Sequence, residues 1–174
     1  VTGAWRVGDA LWLGIAAVGA ARPIGSLRLV GDRAAADRAE AAALAASERR
    51  REECAVSRSH TEGVGAVLVG PRSTSLGVDI VAVARVSELH ARAVVNAGEW
   101  DTLAGYGTER AALAWALKEA AAKATGEPSR WFPAGLGIVS VRDGLAVTRA
   151  DGLGPALAAG WMRWSRFLCA WVRA

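Results

Sequence analysis

Lysine is nearly missing from this chain. Only Lys118 and Lys123 occur, five residues apart, and every other basic side chain is arginine. Lysine is a compact point charge whose proton can be given up, whereas arginine stays protonated and binds as a rigid fork. A chain that keeps lysine at one spot therefore points to chemistry there. The plainer reading of the same stretch is a solvated helix with a Glu119–Lys123 pair at i, i+4, worth about 0.2–0.5 kcal/mol. Cysteine is scarce too: Cys54 and Cys169 lie far apart without CxxC spacing. That excludes a disulfide framework and leaves them as reduced, small apolar side chains. No long hydrophobic run exists. The longest uncharged stretch, residues 10–21, is too short to span a bilayer. It follows Arg6 as a signal-peptide core would, but Asp9 interrupts the basic start and Trp12 suits a strand better. A cytoplasmic protein is the expectation, with no membrane partner.

The formal net charge of +4 favours an acidic partner, either a phosphate-bearing small molecule or an acidic protein surface. Nucleic acid is not expected, because the arginines are scattered and no binding motif accompanies them. The shortage of Asn and Ile beside plentiful Ala, Arg, Gly and Trp reads as coding bias and carries no functional weight. With 174 residues, 52% hydrophobic and 22% charged, the chain suits one compact domain or two small halves sharing a core.

Residues 5–18 read as extended structure broken by Gly8-Asp9, and residues 19–29 as connecting chain. Residues 32–53 lack Gly and Pro and favour a helix, whose alanine face must pack closely or stay loosely held. Residues 57–61 form a polar turn, and 64–69 an apolar strand closed by Gly70-Pro71. A second unit starts near Ser75, with a β-branched strand at 77–83, a helix at 86–97 and, at 100–107, a connection that can hold a short helix. Residues 108–125 are the strongest helix, with Thr108 as N-cap, Gly126 as terminator, and Leu113, Leu117, Ala120 and Ala124 as its core stripe. Strands follow at 137–141, 145–149 and 167–172. The order implies an α+β protein of two related halves, although no repeat is strong enough to prove duplication.

Three pieces place polar groups beside apolar structure: Ser57-Arg58-Ser59-His60-Thr61, the strand Gly77-Val78-Asp79-Ile80, and Trp115-Ala116-Leu117-Lys118-Glu119-Ala120-Ala121-Ala122-Lys123. His60 taken alone is a turn histidine capping exposed backbone. Asp79 lies within an apolar strand, where an unpaired carboxylate is costly, so it needs a metal or a donor. Glu119 and Lys123 project from one helical face, while Lys118 lies about 100° round the helix from Glu119. His90 falls in an expected helix with no motif around it.

The order and spacing of these pieces resemble the 4′-phosphopantetheinyl transferase superfamily. Its patterns are an S-x-S-H-[ST] turn, a G-[VI]-D-[IVL] strand and a [WF]-x-x-K-E-[AS]-x-x-K helix, the last being the most specific. The likeness covers residues 55–149. The histidine turn ahead of the strand matches the Sfp-type enzymes, in which one chain forms a pseudo-dimer of two lobes. The GVDIVAVARV segment looks more like the trimeric holo-acyl-carrier-protein synthases. The resemblance implies two similar lobes, each a small antiparallel sheet on a long helix. Residues 1–74 would form a shortened N-terminal lobe, and residues 75–174 a C-terminal lobe carrying the metal site.

It also implies transfer of the phosphopantetheine arm of coenzyme A to a serine of an apo acyl- or peptidyl-carrier protein, with Mg²⁺ or Mn²⁺. Asp79 and Glu119 would ligate the metal, with Glu119 and Lys123 catalytic. Ser59, His60, Thr61, Lys118 and Lys123 would contact coenzyme A, and Arg85 the carrier. The chain departs from the family at Val81 and Ala82, where acids are usual, and lacks a Gly-Lys-Pro segment. Arg50 and Arg51, with Arg49, then hold the 3′-phosphate or form a plain solvated helix face. The tryptophans belong to the core or a lobe interface; the alternative places Trp100, Trp131 and Trp161 on a carrier-docking surface. A two-lobed monomer is expected. Two other readings stay open: a non-catalytic carrier-binding relative, and an enzyme repurposed for carrier- or coenzyme A-linked intermediates.

Overall fold

The computed structural model describes residues 2–8, 10–17, 26–126, 135–141, 144–149 and 156–174, and of residues 26–32, 141 and 149 the backbone alone. The chain is a mixed α+β protein with two antiparallel sheets and two long helices, and it divides into two compact units, Val1–Leu76 and Gly77–Ala174.

Unit 1 contains strands β1 (Thr2–Gly8) and β2 (Leu11–Ala17), helix α1 (Ser26–Ser47), and strands β3 (Cys54–Thr61) and β4 (Val64–Pro71). The sheet order is β1-β2-β4-β3, with every pair antiparallel. The polar turn expected at residues 57–61 is instead the end of β3. The reversal falls one step later, at Glu62-Gly63, where both residues have positive φ, the conformation a two-residue hairpin demands. Helix α1 starts earlier than expected and ends at Ser47, where Glu48 turns left-handed with φ 56° and stops the spiral. Residues 51–53 make only a 3₁₀ turn leading into β3.

The alanine face of α1 does pack closely. A Cβ added at Gly14 on β2 would stand 2.1 Å from the Ala39 carbonyl oxygen, and one at Gly65 on β4 2.3 Å from the Ala36 nitrogen. Small residues on both sides let the helix lie almost on the strand backbone, with Ala35, Ala36, Ala39 and Ala43 buried. Glu40 on α1 is buried among arginines, paired with Arg51 from the 3₁₀ turn and Arg58 from β3.

Unit 2 runs β5 (Leu76–Ala82), α2 (Glu88–Arg92), α3 (Ala97–Thr102), α4 (Arg110–Thr125), then β6 (Leu136–Val141), β7 (Gly144–Arg149), β8 (Leu157–Trp164) and β9 (Phe167–Arg173). Its sheet order is β5-β9-β8-β7-β6. Leu113 and Leu117 of α4 pack with Ile138, Leu145 and Leu168 from the sheet, while Ala120, Ala121 and Ala124 pack with Leu136, Val147 and Val172. The expected core stripe is buried throughout.

Three details differ from expectation. Of the helix expected at 86–97 only Glu88–Arg92 forms, and a new one runs from Ala97 to Thr102 because Asn96 caps it: its side chain accepts from the Glu99 backbone while the Glu99 carboxylate accepts from the Asn96 backbone. Thr108 does not cap α4. It lies in a 3₁₀ run (Ala104–Glu109) kinked at Gly107 (φ 52°, ψ −127°), and the helix proper begins at Arg110. Strand β8 was not expected, since Leu157-Ala-Ala-Gly160 has little strand propensity; it is held by β9 and by Trp161 edge-on to Tyr106. The left-handed cap at Gly126 (φ 69°) ends α4 as expected.

Candidate active site

Strand alternation sends Gly77, Asp79 and Val81 to one face of β5. Gly77 identifies that face as the one beneath α4, because a Cβ there would lie 1.7 Å from the Ala120 carbonyl oxygen. With helix and strand touching at Ala120, the side chains either side of it on the helix, Glu119 and Lys123, reach the next residue along that strand face. The Lys123 ammonium donates to Asp79 Oδ1 and to the Val78 carbonyl, each at 2.9 Å. Asp79 is only 7% exposed, so this pair answers the need of a carboxylate set in an apolar strand. The Lys123 side chain remains about one-third exposed, at 33%.

Glu119 is half-buried, and its carboxyl is held above the usual carboxylate range. Burial is the main cause, the charge of Asp79 adds to it, and Lys123 partly offsets both. Asp79 and Glu119 are close enough for their charges to repel, and Lys123, paired with Asp79, offsets part of that repulsion. On the neighbouring strand β9 the buried thiol of Cys169 is pushed far up, first by burial and then by Asp79. It stays protonated and unreactive. Both cysteines are free and buried.

The donor set suits a hard cation. Among the described residues no three His, Cys, Asp or Glu side chains gather as a metal group. Asp79 and Glu119 provide two carboxylates, which is what Mg²⁺ takes from a protein when water and substrate phosphates complete its octahedron. Val81, where a further acid is usual in the Sfp-type pattern, is half-buried against the Leu113–Leu117 core and contributes packing.

The structure places Lys118, for which a phosphate contact is expected, apart from this group. Lys118 is 3% exposed. Its ammonium is engaged by Glu99 Oε1 and the Leu136 carbonyl oxygen inside unit 2. Glu99 also accepts from the backbone N–H groups of Ile138 at 2.8 Å and Asn96 at 2.7 Å. Glu99 was missed from the sequence, although the Asn96-x-x-Glu99 capping pattern was there to be read.

Trp100 does not serve a docking surface. It is buried, with the guanidinium groups of Arg110 and Arg92 stacked 3.9 and 4.7 Å from its ring. Trp161 is half-buried against Tyr106, and Trp131 lies outside the described residues. Arg85 is exposed at the end of a 3₁₀ turn (Val83–Arg85), and His90 is exposed with its ring edge-on to Trp115 at 6.5 Å.

The remaining candidates belong to unit 1. On β3, His60 is exposed and follows Arg58 on the helix-facing side, while buried Ser59 points to the opposite side; Thr61 ends the strand. A strand in place of a turn thus sends Ser59 and His60 in opposite directions. Arg50 pairs with Glu53 at 2.7 Å and Arg51 with buried Glu40.

Among the described residues no helix is long and apolar enough to cross a membrane. A search of curated proteins found no match for the chain. The family model of the 4′-phosphopantetheinyl transferase superfamily matches residues 75–158, a span that holds Asp79, Arg85, Glu99, Lys118, Glu119 and Lys123. Residues 75–158 therefore carry a domain of the 4′-phosphopantetheinyl transferase superfamily.

Proposed function

We propose that this chain transfers the 4′-phosphopantetheine arm of coenzyme A to a serine hydroxyl of an apo acyl- or peptidyl-carrier protein. The reading rests on the superfamily domain and on one observation: Lys123 paired to Asp79 beside a Glu119 whose carboxyl is raised. The serine oxygen attacks the β-phosphorus, a new P–O bond forms, and the bond to the bridging oxygen breaks. Adenosine 3′,5′-bisphosphate leaves with the electron pair. Glu119, half-buried beside Asp79, takes the serine proton. The Lys123 ammonium meets the charge that grows on the departing phosphate. Asp79 and Glu119 would hold Mg²⁺, or Mn²⁺ in its place, which when bound neutralises the pyrophosphate.

Arg85 contacts the carrier, and Ser59, His60, Thr61, Arg50 and Arg51 contribute to coenzyme A binding from unit 1. A cytoplasmic monomer belongs to the same proposal. The test is to mix the chain with apo carrier, coenzyme A and Mg²⁺ and weigh the carrier. One phosphopantetheine mass is expected, with Glu119→Gln and Asp79→Ala each reducing the rate by about 10²-fold or more. No mass gain across several carriers and both metals would sink the reading.

The pairing of Arg50 and Arg51 with Glu53 and Glu40 favours a second reading, in which the chain binds carriers without full coenzyme A affinity. Calorimetry separates the two, because carrier binding without coenzyme A binding selects the second.

A further inference from the structure

The C-terminal half of α4, which carries Glu119 and Lys123, turns a mostly alanine face to the sheet. Its buried residues are Lys118 and four alanines, Ala120, Ala121, Ala122 and Ala124. Methyl groups slide over a sheet more easily than the interlocking Leu113 and Leu117 of the first half. Yet Glu119 must meet Asp79 from one direction. A carboxyl about 6 Å from the helix axis moves roughly 2 Å for a 20° turn, enough to break a hydrogen bond.

Lys118 is the one long buried side chain in that half. Its ammonium is held by Glu99 Oε1 and the Leu136 carbonyl. Glu99 is itself fixed from two further sides, by the Ile138 N–H of β6 and the Asn96 N–H at the start of α3. Glu99 is 6% exposed, so no water competes for the pair. One carboxylate thus ties α3, β6 and α4 together at the residue next to Glu119.

We infer that Glu99 and Lys118 are positioning residues: their buried ion pair sets the azimuth of α4 and thereby aims Glu119 and Lys123 at Asp79. The consequence for catalysis rests on the transferase reading, but the geometric claim does not.

The chain's own composition supplies the test. With only two lysines, protein grown on ¹⁵N-lysine gives two ammonium signals by NMR, and Lys118→Met leaves Lys123 alone. In Glu99→Gln and in Lys118→Met the Lys123 signal is expected to move towards that of a free, rapidly exchanging lysine. In the transfer assay the turnover number is expected to fall roughly tenfold, with the carrier KM changed less than about twofold. Asn96→Ala is the control: it removes the side-chain cap of α3 but leaves the pair, so it lowers the melting temperature without moving the Lys123 signal.

An unmoved Lys123 signal in either variant, shown to be folded by circular dichroism, overturns the inference. So does a Lys123 signal that moves equally in Asn96→Ala. If the wild-type chain transfers nothing, the transferase reading fails while the NMR comparison still decides the positioning claim. Should Glu99→Gln fail to fold, Lys118→Met decides it, and Lys118→Arg, which restores the charge, is expected to return most of the Lys123 signal.

Discussion

Each unit lays an alanine-rich helix across an antiparallel sheet, and each uses glycine in the strands to let the helix come close. In unit 1 the contacts fall at Gly14 and Gly65 under α1, and in unit 2 at Gly77 under α4. The charges built onto these frames differ. Unit 1 surrounds its buried acid, Glu40, with Arg51 and Arg58. Unit 2 gives its buried acids, Glu99 and Asp79, the chain's two lysines. Arginine fixes a charge and a fork geometry, while lysine offers a mobile ammonium that can serve a reacting phosphate. The same packing device therefore holds an arginine–glutamate cluster in one unit and the lysine–carboxylate pairs of the proposed site in the other. Within unit 2 the two lysines divide the work, Lys118 inside and Lys123 at the site.

The sharpest way to break this comparison is to remove one cation from each unit. Lys118→Met leaves the Glu99 carboxylate buried without its counter-charge, which should cost about 3–5 kcal/mol of stability. Arg51→Ala removes a half-exposed partner of Glu40 and leaves Arg58 in place, so about 1 kcal/mol or less is expected. Urea melts of both variants check this. Equal losses would mean that the two clusters are equivalent in kind.

Next in size are the glycine contacts. Gly77→Ala should cost about 3 kcal/mol and lower transfer as well, because α4 must lift away from Asp79. Gly14→Ala, where the added Cβ meets the Ala39 carbonyl, should cost about as much in unit 1. Thermal melts compare the stabilities, and transfer assays made well below the melting temperature measure the activity loss. Retained activity in folded Gly77→Ala would show that close helix–strand contact is not what brings Glu119 to Asp79.

The sequence carried the coarse architecture because its signals were local. The alanine runs, the β-branched strand read at Gly77–Val83, and Gly126 after the last helical turn each state their own structure. That Asp79 needs a metal or a donor was legible, because a carboxylate in an apolar strand is costly unpaired; that Lys123 is the donor was not. What stayed hidden depended on tertiary neighbours. Lys118 and Lys123 look alike in sequence, and only the position of Glu99, nineteen residues before Lys118, sends one ammonium inward. Strand β8 has weak propensity and owes its form to β9. The polar residues 57–61 resemble a turn until pairing with β4 is counted.

A smaller effect sharpens the contrast of lysine with arginine. Exchanging the cation type should be tolerated in unit 1 and not in unit 2. Arg58→Lys, half-exposed, should change stability by about 1 kcal/mol or less. Lys123→Arg should fold and keep an ion pair with Asp79, yet turn over roughly tenfold more slowly, because the planar fork cannot follow a departing phosphate as a point charge can. Mass spectrometry of the carrier against time reads this directly. Undiminished turnover in Lys123→Arg would remove the distinction between the two units.

The smallest effect concerns pH. Glu119 holds its proton more tightly in the folded chain than in the unfolded one, through burial first and the charge of Asp79 second. Its ionisation therefore opposes folding. The stability it contributes is fully present below the unfolded carboxylate pKa and is lost as pH rises through the raised folded value. The loss begins near the ordinary glutamate range, about pH 4.3, and is complete above the folded value. Glu119→Gln removes this slope. Without divalent ions the variant should match the wild type at the acid end and exceed it at neutral pH. Urea melts stepped between about pH 4 and pH 8 measure the difference. Because Glu119 is only half-buried, solvent screens the effect and the gain should be modest. A difference that stays constant across the range would mean that burial and the charge of Asp79 together do not raise Glu119 in the folded chain, and the electrostatic account of the unit 2 site would fail.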